Sequence, residues 1–112
     1  MSRTERVANL LKKEISEILH RKVNDSRIGF ISITQVEISK DLAHAWVHYS
    51  QFGDEEARAA TRKGLASATS FIKLEIGKIL TTQTVPNIHF KFDDTLEKAQ
   101  KLIDRIDEIS QQ

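Results

Sequence analysis

Ile31-Ser32-Ile33-Thr34-Gln35-Val36-Glu37-Ile38, followed after a short turn by Ala43-His44-Ala45-Trp46-Val47-His48-Tyr49, decides the fold of this 112-residue chain. Both runs are rich in β-branched or aromatic residues and alternate apolar with polar, the mark of a half-buried strand. In the second run Ala45, Val47 and Tyr49 share one face, which leaves His44, Trp46 and His48 on the other. In the first run the apolar parity shifts between Ile33 and Val36, which predicts a bulge. Ser39-Lys40-Asp41-Leu42 supplies a turn, so the two runs form an antiparallel hairpin.

Upstream of the hairpin, Val7, Leu10, Leu11, Ile15, Ile18 and Leu19 recur at spacings of three and four, the stripe of an amphipathic helix. Ser2 and Glu5 fit a capping box, and Asn24-Asp25-Ser26 breaks the helix, so it spans roughly residues 3–22. Downstream, Gly53 ends the strand and Asp54 caps a long helical stretch over 55–80 with a stripe of Leu65, Ala68, Ile72, Ile76 and Ile79. Gly64 and the small, polar run Ala66-Ser67-Ala68-Thr69-Ser70 predict a kink or break in its middle, because Ser and Thr compete for backbone hydrogen bonds. Pro86 opens a third strand in which Ile88, Phe90 and Phe92 alternate with His89 and Lys91. Asp94 then caps a last helix, about 95–110, whose inner stripe is Leu96, Ala99, Leu102 or Ile103, Ile106 and Ile109. The class is α+β: a three-stranded sheet with helices packed on one face, formed by a single domain over 1–112.

Composition narrows the functions open to such a domain. With no cysteine there is no disulfide framework, thiolate metal site or cysteine nucleophile. No apolar run approaches the roughly 18 residues of a membrane span, and the first residues lack a signal peptide's apolar stretch, so a cytoplasmic location is expected. The net charge of +1 hides an asymmetry: residues 1–30 hold seven Lys/Arg against four Asp/Glu, and residues 93–112 hold three against six. A basic front and an acidic tail suit an anionic partner on one face only.

No catalytic constellation emerges. His44 and His48 are four apart, which on a strand is about 13 Å, too far to share one ion. There is no Ser-His-Asp order, nucleophile elbow or phosphate loop. What remains is basic and small. Arg3, Arg6, Lys12, Lys13, Arg21, Lys22 and Arg27 lie along the first helix and the turn after it, and Lys63, Lys73 and Lys78 flank the small-residue corner. Two helix segments meeting at Ser67, Ala68, Thr69 and Ser70 would expose backbone N–H groups to a phosphate, with lysines adding sequence-independent attraction. The same small residues would equally let two helices pack closely.

Asp25-Ser26-Arg27-Ile28-Gly29-Phe30-Ile31-Ser32-Ile33-Thr34, then Val36-Glu37-Ile38-Ser39-Lys40-Asp41-Leu42, resembles the hallmark stretch of the bacterial ribosome-binding factor A family. Ser67-Ala68-Thr69-Ser70-Phe71-Ile72, Gly77-Lys78, Val85-Pro86-Asn87-Ile88-His89-Phe90 and Asp93-Asp94-Thr95-Leu96 resemble its later blocks in the same order. The resemblance runs from Arg6 to Ile109, and its strength lies in the ordered set rather than in any one block. It implies a type II KH-like domain in which a helix–kink–helix with an Ala-x-Gly corner replaces the usual Gly-x-x-Gly loop. It also implies a non-enzymatic, cofactor-free, monomeric factor that binds the free 30S subunit and immature 16S rRNA. Such a factor assists late maturation, including 5′-end processing and growth in the cold, and a maturation GTPase promotes its release.

This chain departs from that pattern in four places. Ala-x-Gly reads Ala68-Thr69-Ser70, and Asp-Pro-Arg reads Asp25-Ser26-Arg27. Thr81 and Gln83 stand where many members carry arginines, and the longer basic C-terminal tail of some members is not present. The loss of those arginines moves the expected RNA contact towards the first helix and the corner. The rival expectation is a protein-interaction module that uses the Trp46 face of the sheet.

Overall fold

The structure, a computed structural model, describes residues 2–80 and 84–110. Thr81 and Gln83 lie outside the described residues. Element order is α1 (Arg3–Arg21), β1 (Ile31–Ile38), β2 (His44–Gln51), α2 (Glu55–Ile79), β3 (Asn87–Phe92) and α3 (Thr95–Ser110). The strands lie in the order β1-β2-β3, with β1 antiparallel and β3 parallel to β2. The α+β class expected from the residues is therefore the observed one.

Local chemistry sets the element ends. Ser2 Oγ accepts the Glu5 amide at 3.1 Å and Asp54 Oδ1 accepts the Ala57 amide at 2.9 Å, each satisfying a donor that a helix N-terminus leaves free. In the β1–β2 ladder Ile33 faces Tyr49 but Gln35 faces His48, so Thr34 is the extra residue the parity shift predicts. At the start of α3, Asp94 precedes the helix and its carbonyl accepts the Lys98 amide, while the neighbouring Asp93 carboxylate takes the Thr95 amide at 3.0 Å.

One face of the sheet carries the core. Ala45, Val47 and Tyr49 of β2 meet Leu11, Ile15 and Ile18 of α1 and Leu65, Ile72 and Ile76 of α2, all buried. Two members of the expected stripes are at the margin instead: Leu10 is 36% exposed and Ile79 39%. Among the described residues no helix packs on the opposite sheet face, which carries His44, Trp46 and His48.

Two expectations give way. First, of the kink or break expected in α2 the break does not occur: the helix continues across Gly64 and residues 66–70. The Thr69 hydroxyl donates to the Leu65 carbonyl at 2.8 Å, the i−4 bond that bends a helix without breaking it. Gly64 serves packing: a Cβ there would lie 2.6 Å from Ile28 Cγ1, because the loop after α1 crosses the helix at that point. Buried Thr61 seals the crossing by accepting the Gly29 amide at 3.0 Å.

Second, the apolar stripe of α3 from Ala99 onward is not an inner one, while the Leu96 side chain lies outside the described residues. Leu102, Ile103, Ile106 and Ile109 are 51–65% exposed, and Ala99 is exposed too. The base of α3 is tied to α2 by the Arg58–Glu97 ion pair at 2.8 Å, and Arg58 also lies over the Phe92 ring at 5.2 Å. The rest of α3 extends past the sheet, which gives the molecule dimensions of 61 × 36 × 19 Å.

Candidate nucleic-acid interface

With 3.6 residues per turn, Lys63, Ser67, Ser70, Leu74 and Lys78 fall on one strip of α2, and all are exposed. Ser67 and Ser70 keep the middle of the strip low and polar, so a bulky anion can approach the helix between lysines at either end. Alongside Ser70 and Lys78 lies a shallow hollow of about 590 Å³ that also includes Lys73, Leu74, Gly77 and Val85. Lys73 is half-buried and donates to Asn87 Oδ1 at 2.8 Å, which carries the basic surface to the edge of β3.

On its other flank the strip meets the end of α1. A smaller hollow of about 210 Å³ is lined by Lys22, Val23, Asn24 and Asp25 on one side and Ser67, Ala68 and Phe71 on the other. Lys22 Nζ reaches Glu75 Oε2 at 2.8 Å, and Lys78 Nζ reaches Glu75 Oε1 at 3.0 Å. Hydrogen bonds from these two ammonium groups hold the Glu75 carboxyl below the usual carboxylate range. The result is a fixed triad with one net positive charge. Arg27 is likewise held: its guanidinium donates to both oxygens of Asp25, at 2.6 Å and 3.0 Å, and its own amide donates to the same carboxylate. These bonds lower the Asp25 pKa to about 2.

The expected corner divides. Ser67 and Ser70 face solvent, Ala68 is turned into the core, and half-buried Thr69 faces the groove between α2 and β3. Because the helix is unbroken, the amides of 67–70 are not free at a second helix start, so the phosphate-binding helix end anticipated here does not form. Lys63, Lys73 and Lys78 do belong to the surface of α2 that carries Ser67 and Ser70.

The α1 residues are less gathered. Arg3, Arg6, Lys12, Lys13 and Arg21 are all exposed but spread around the helix. Arg6 and Lys13, seven apart, share a strip that continues into Glu17, while Glu14 stands seven before Arg21. Only Lys22 and Arg27 adjoin α2. Among the described residues, no three His, Asp or Glu side chains are grouped to hold a metal ion. No helix among them is long and apolar enough to cross a membrane.

Sequence reasoning missed Glu75, Phe71 and Leu74. The Glu75–Lys78 pair is legible as an i,i+3 spacing, but its partner Lys22 comes from another helix and leaves no local signal. Phe71 at 39% and Leu74 at 63% exposure break the buried stripe of α2 and mark an apolar element within the basic face.

A lysine-bounded strip that holds Ser67, Ser70 and the exposed Leu74 between its ends has the charge and the low relief to suit a polyanion. The chain belongs to the ribosome-binding factor A family, whose model matches residues 3–106. It is 44% identical over 110 residues to ribosome-binding factor A of Halothermothrix orenii, covering 98% of this chain and 90% of that protein. To the Dictyoglomus thermophilum protein of the same name it is 45% identical over 108 residues, covering 96% and 90%. Among solved structures it resembles the solution structure of a Thermotoga maritima putative ribosome binding factor A, with a TM-score of 0.72 and 31% identity over 80% of this chain and 85% of that one. The fold also resembles a Thermus thermophilus ribosome binding factor A homology model fitted into a cryo-EM map of a 30S complex, with a TM-score of 0.57 and 19% identity over 81% and 91%.

Proposed function

We propose that this chain is a non-enzymatic ribosome assembly factor that binds the free 30S subunit through immature 16S rRNA. Family membership supports the class of partner. The observation that carries the RNA contact is the Lys22–Glu75–Lys78 triad beside Ser67 and Ser70, because it fixes two cations next to a low polar surface and keeps one net positive charge there. Phosphates would be met by Lys22, Arg27, Lys63, Lys73 and Lys78, and sugar hydroxyls by Ser67 and Ser70. Arg3, Arg6, Lys12, Lys13 and Arg21 would supply a more diffuse field along α1. Recognition of this kind reads backbone and shape rather than base edges.

By the same reading the fold is a type II KH-like domain acting as a cytoplasmic monomer. It holds an RNA conformer during late maturation, including 5′-end processing of pre-16S rRNA and growth in the cold, and a maturation GTPase promotes its release. The test is co-sedimentation of the protein with small subunits, large subunits and whole ribosomes at low and high salt. Selective retention on free small subunits that falls steeply with salt is the expected result. Absence from every ribosomal fraction would overturn the reading.

A further inference from the structure

The sheet face opposite the core carries a second feature, which reaches the groove between α2 and β3 at His89. Trp46 stands on the central strand, and His89 is its register partner on β3. Its ring lies 5.8 Å from His44 and 6.0 Å from His89, with interplanar angles of 29° and 26°. His44 Nδ1 and His89 Nε2 are 3.0 Å apart, which ties the two imidazoles across the strands. His48 continues the row along β2 and pairs with Glu37 at 3.2 Å. The described outward side chains around these rings are Ser50, Asn87 and Lys91 on β2 and β3 and Gln35 and Glu37 on β1, the last being the register partner of Trp46, with no aliphatic side chain among them. An aliphatic protein surface finds little to pack against there, whereas a nucleobase finds π-faces and ring N–H donors.

We propose that this face is a contact for single-stranded RNA, in which an unpaired base stacks on the Trp46–His44–His89 cluster. The inference rests on the reading of RNA as the partner. Continuity with the basic strip supports it: Lys73 on α2 bonds Asn87, and Asn87 is the register partner of His44. A strand whose phosphates lie along α2 thus needs only to cross the edge of β3 to reach the rings. Base stacking on aromatics tolerates any sequence because every base has a π-face.

Trp46 is the only tryptophan of the chain, so its fluorescence reports this face alone. The full chain is titrated with a short oligouridylate and, separately, with a blunt RNA duplex. Saturable quenching by the single strand and little by the duplex is expected. Anisotropy of a labelled strand is expected to show Trp46→Ala weakening binding about tenfold, with Trp46→Phe retaining most of the affinity. No quenching, equal quenching by the duplex, or unchanged affinity in Trp46→Ala would each overturn the proposal. Co-sedimentation of the unaltered chain separates the two readings. Retention on small subunits without quenching removes only the stacking contact; absence from all ribosomal fractions removes the assembly-factor reading.

Discussion

The Lys22 ammonium and the Glu75 carboxylate, 53 residues apart in sequence, meet at 2.8 Å where the end of α1 packs beside α2. Lys78 binds the other oxygen of the same carboxylate. One acidic side chain thus sets the spacing of two cations. Replacing it with its neutral isostere, Glu75→Gln, is expected to release both lysines towards phosphate. The log–log salt dependence of small-subunit binding should then steepen by about one unit, since each phosphate contact adds close to that much. An unchanged slope would place both lysines outside the RNA contact.

Within the same strip, Ser70→Asp puts a negative charge between Lys63 and Lys78 at an exposed position. Binding to small subunits is expected to fall about tenfold at low salt, with the thermal midpoint unchanged. Thr69→Val is the companion variant: its hydroxyl bonds the Leu65 carbonyl and faces the α2–β3 groove, so subunit binding should hold. Equal losses in the two would mean that the face of α2 does not discriminate.

Two glycines in α2 predict opposite signs. Gly64→Ala forces a Cβ to within 2.6 Å of Ile28 Cγ1, and overpacking of this kind costs about 1–3 kcal/mol, more than the helix-propensity gain of about 1 kcal/mol. Among the described residues Gly77→Ala meets only Val85 Cγ2 at 3.4 Å, so the propensity gain should survive as about 0.5–1 kcal/mol of added stability. Urea unfolding of the pair, with the wild type beside them, decides both.

Acid should weaken the fold in a defined window. Asp25 falls from its ordinary 3.8 to about 2 through its bonds to Arg27, and Asp41, Glu55, Glu75 and Asp93 are also held low by hydrogen bonds, chiefly to Ser39, Arg62, Lys22 and Thr95. A carboxyl whose folded pKa is depressed contributes stability above its unfolded pKa and loses it as pH falls through the folded value. The thermal midpoint is therefore expected to be level above about pH 5 and to decline towards about pH 2, less steeply in Asp25→Asn. A midpoint that stays flat across that range would show that these bonds contribute nothing to folding.

The exposed stripe of α3 yields a contrast with the core. Leu102→Ala and Ile106→Ala should each change stability by less than about 0.5 kcal/mol, because neither side chain is buried. Ile72→Ala, at a position with no exposure, should cost about 2–5 kcal/mol. Denaturant midpoints measure all three. A large loss at Leu102 or Ile106 would mean that α3 is covered in solution.

These contrasts also mark what the residues alone could say. The parity shift at Thr34, the alternation of β2 and the caps at Ser2 and Asp54 are local, and each was legible because short-range spacing fixes it. The break in α2 was misread because Ser and Thr lower helix propensity on average, while here Thr69 bonds back to Leu65 and the flanking Leu65 and Ile72 are buried. The α3 stripe was misread for another reason. An amphipathic period states that a face is apolar, not that the chain provides something to cover it. Of the candidate site, the lysines and serines of α2 were visible in the sequence. Their arrangement was not, since Lys22 comes to Glu75 from the end of another helix and Arg27 lies against α2 where Gly64 admits the loop.

Thr34, the extra residue of the bulge, donates its hydroxyl to Asp93 Oδ2 at 2.9 Å, joining the first strand of the sheet to the residue just past the last. That bond spans 59 residues, and β3 itself pairs with β2 only through the α2 crossover. The sheet therefore cannot be completed by any N-terminal portion of the chain ending before β3. During synthesis the β1–β2 hairpin must wait, with one edge open, until α2 and then β3 have been made, so completion of this small sheet is bound to the appearance of its third strand.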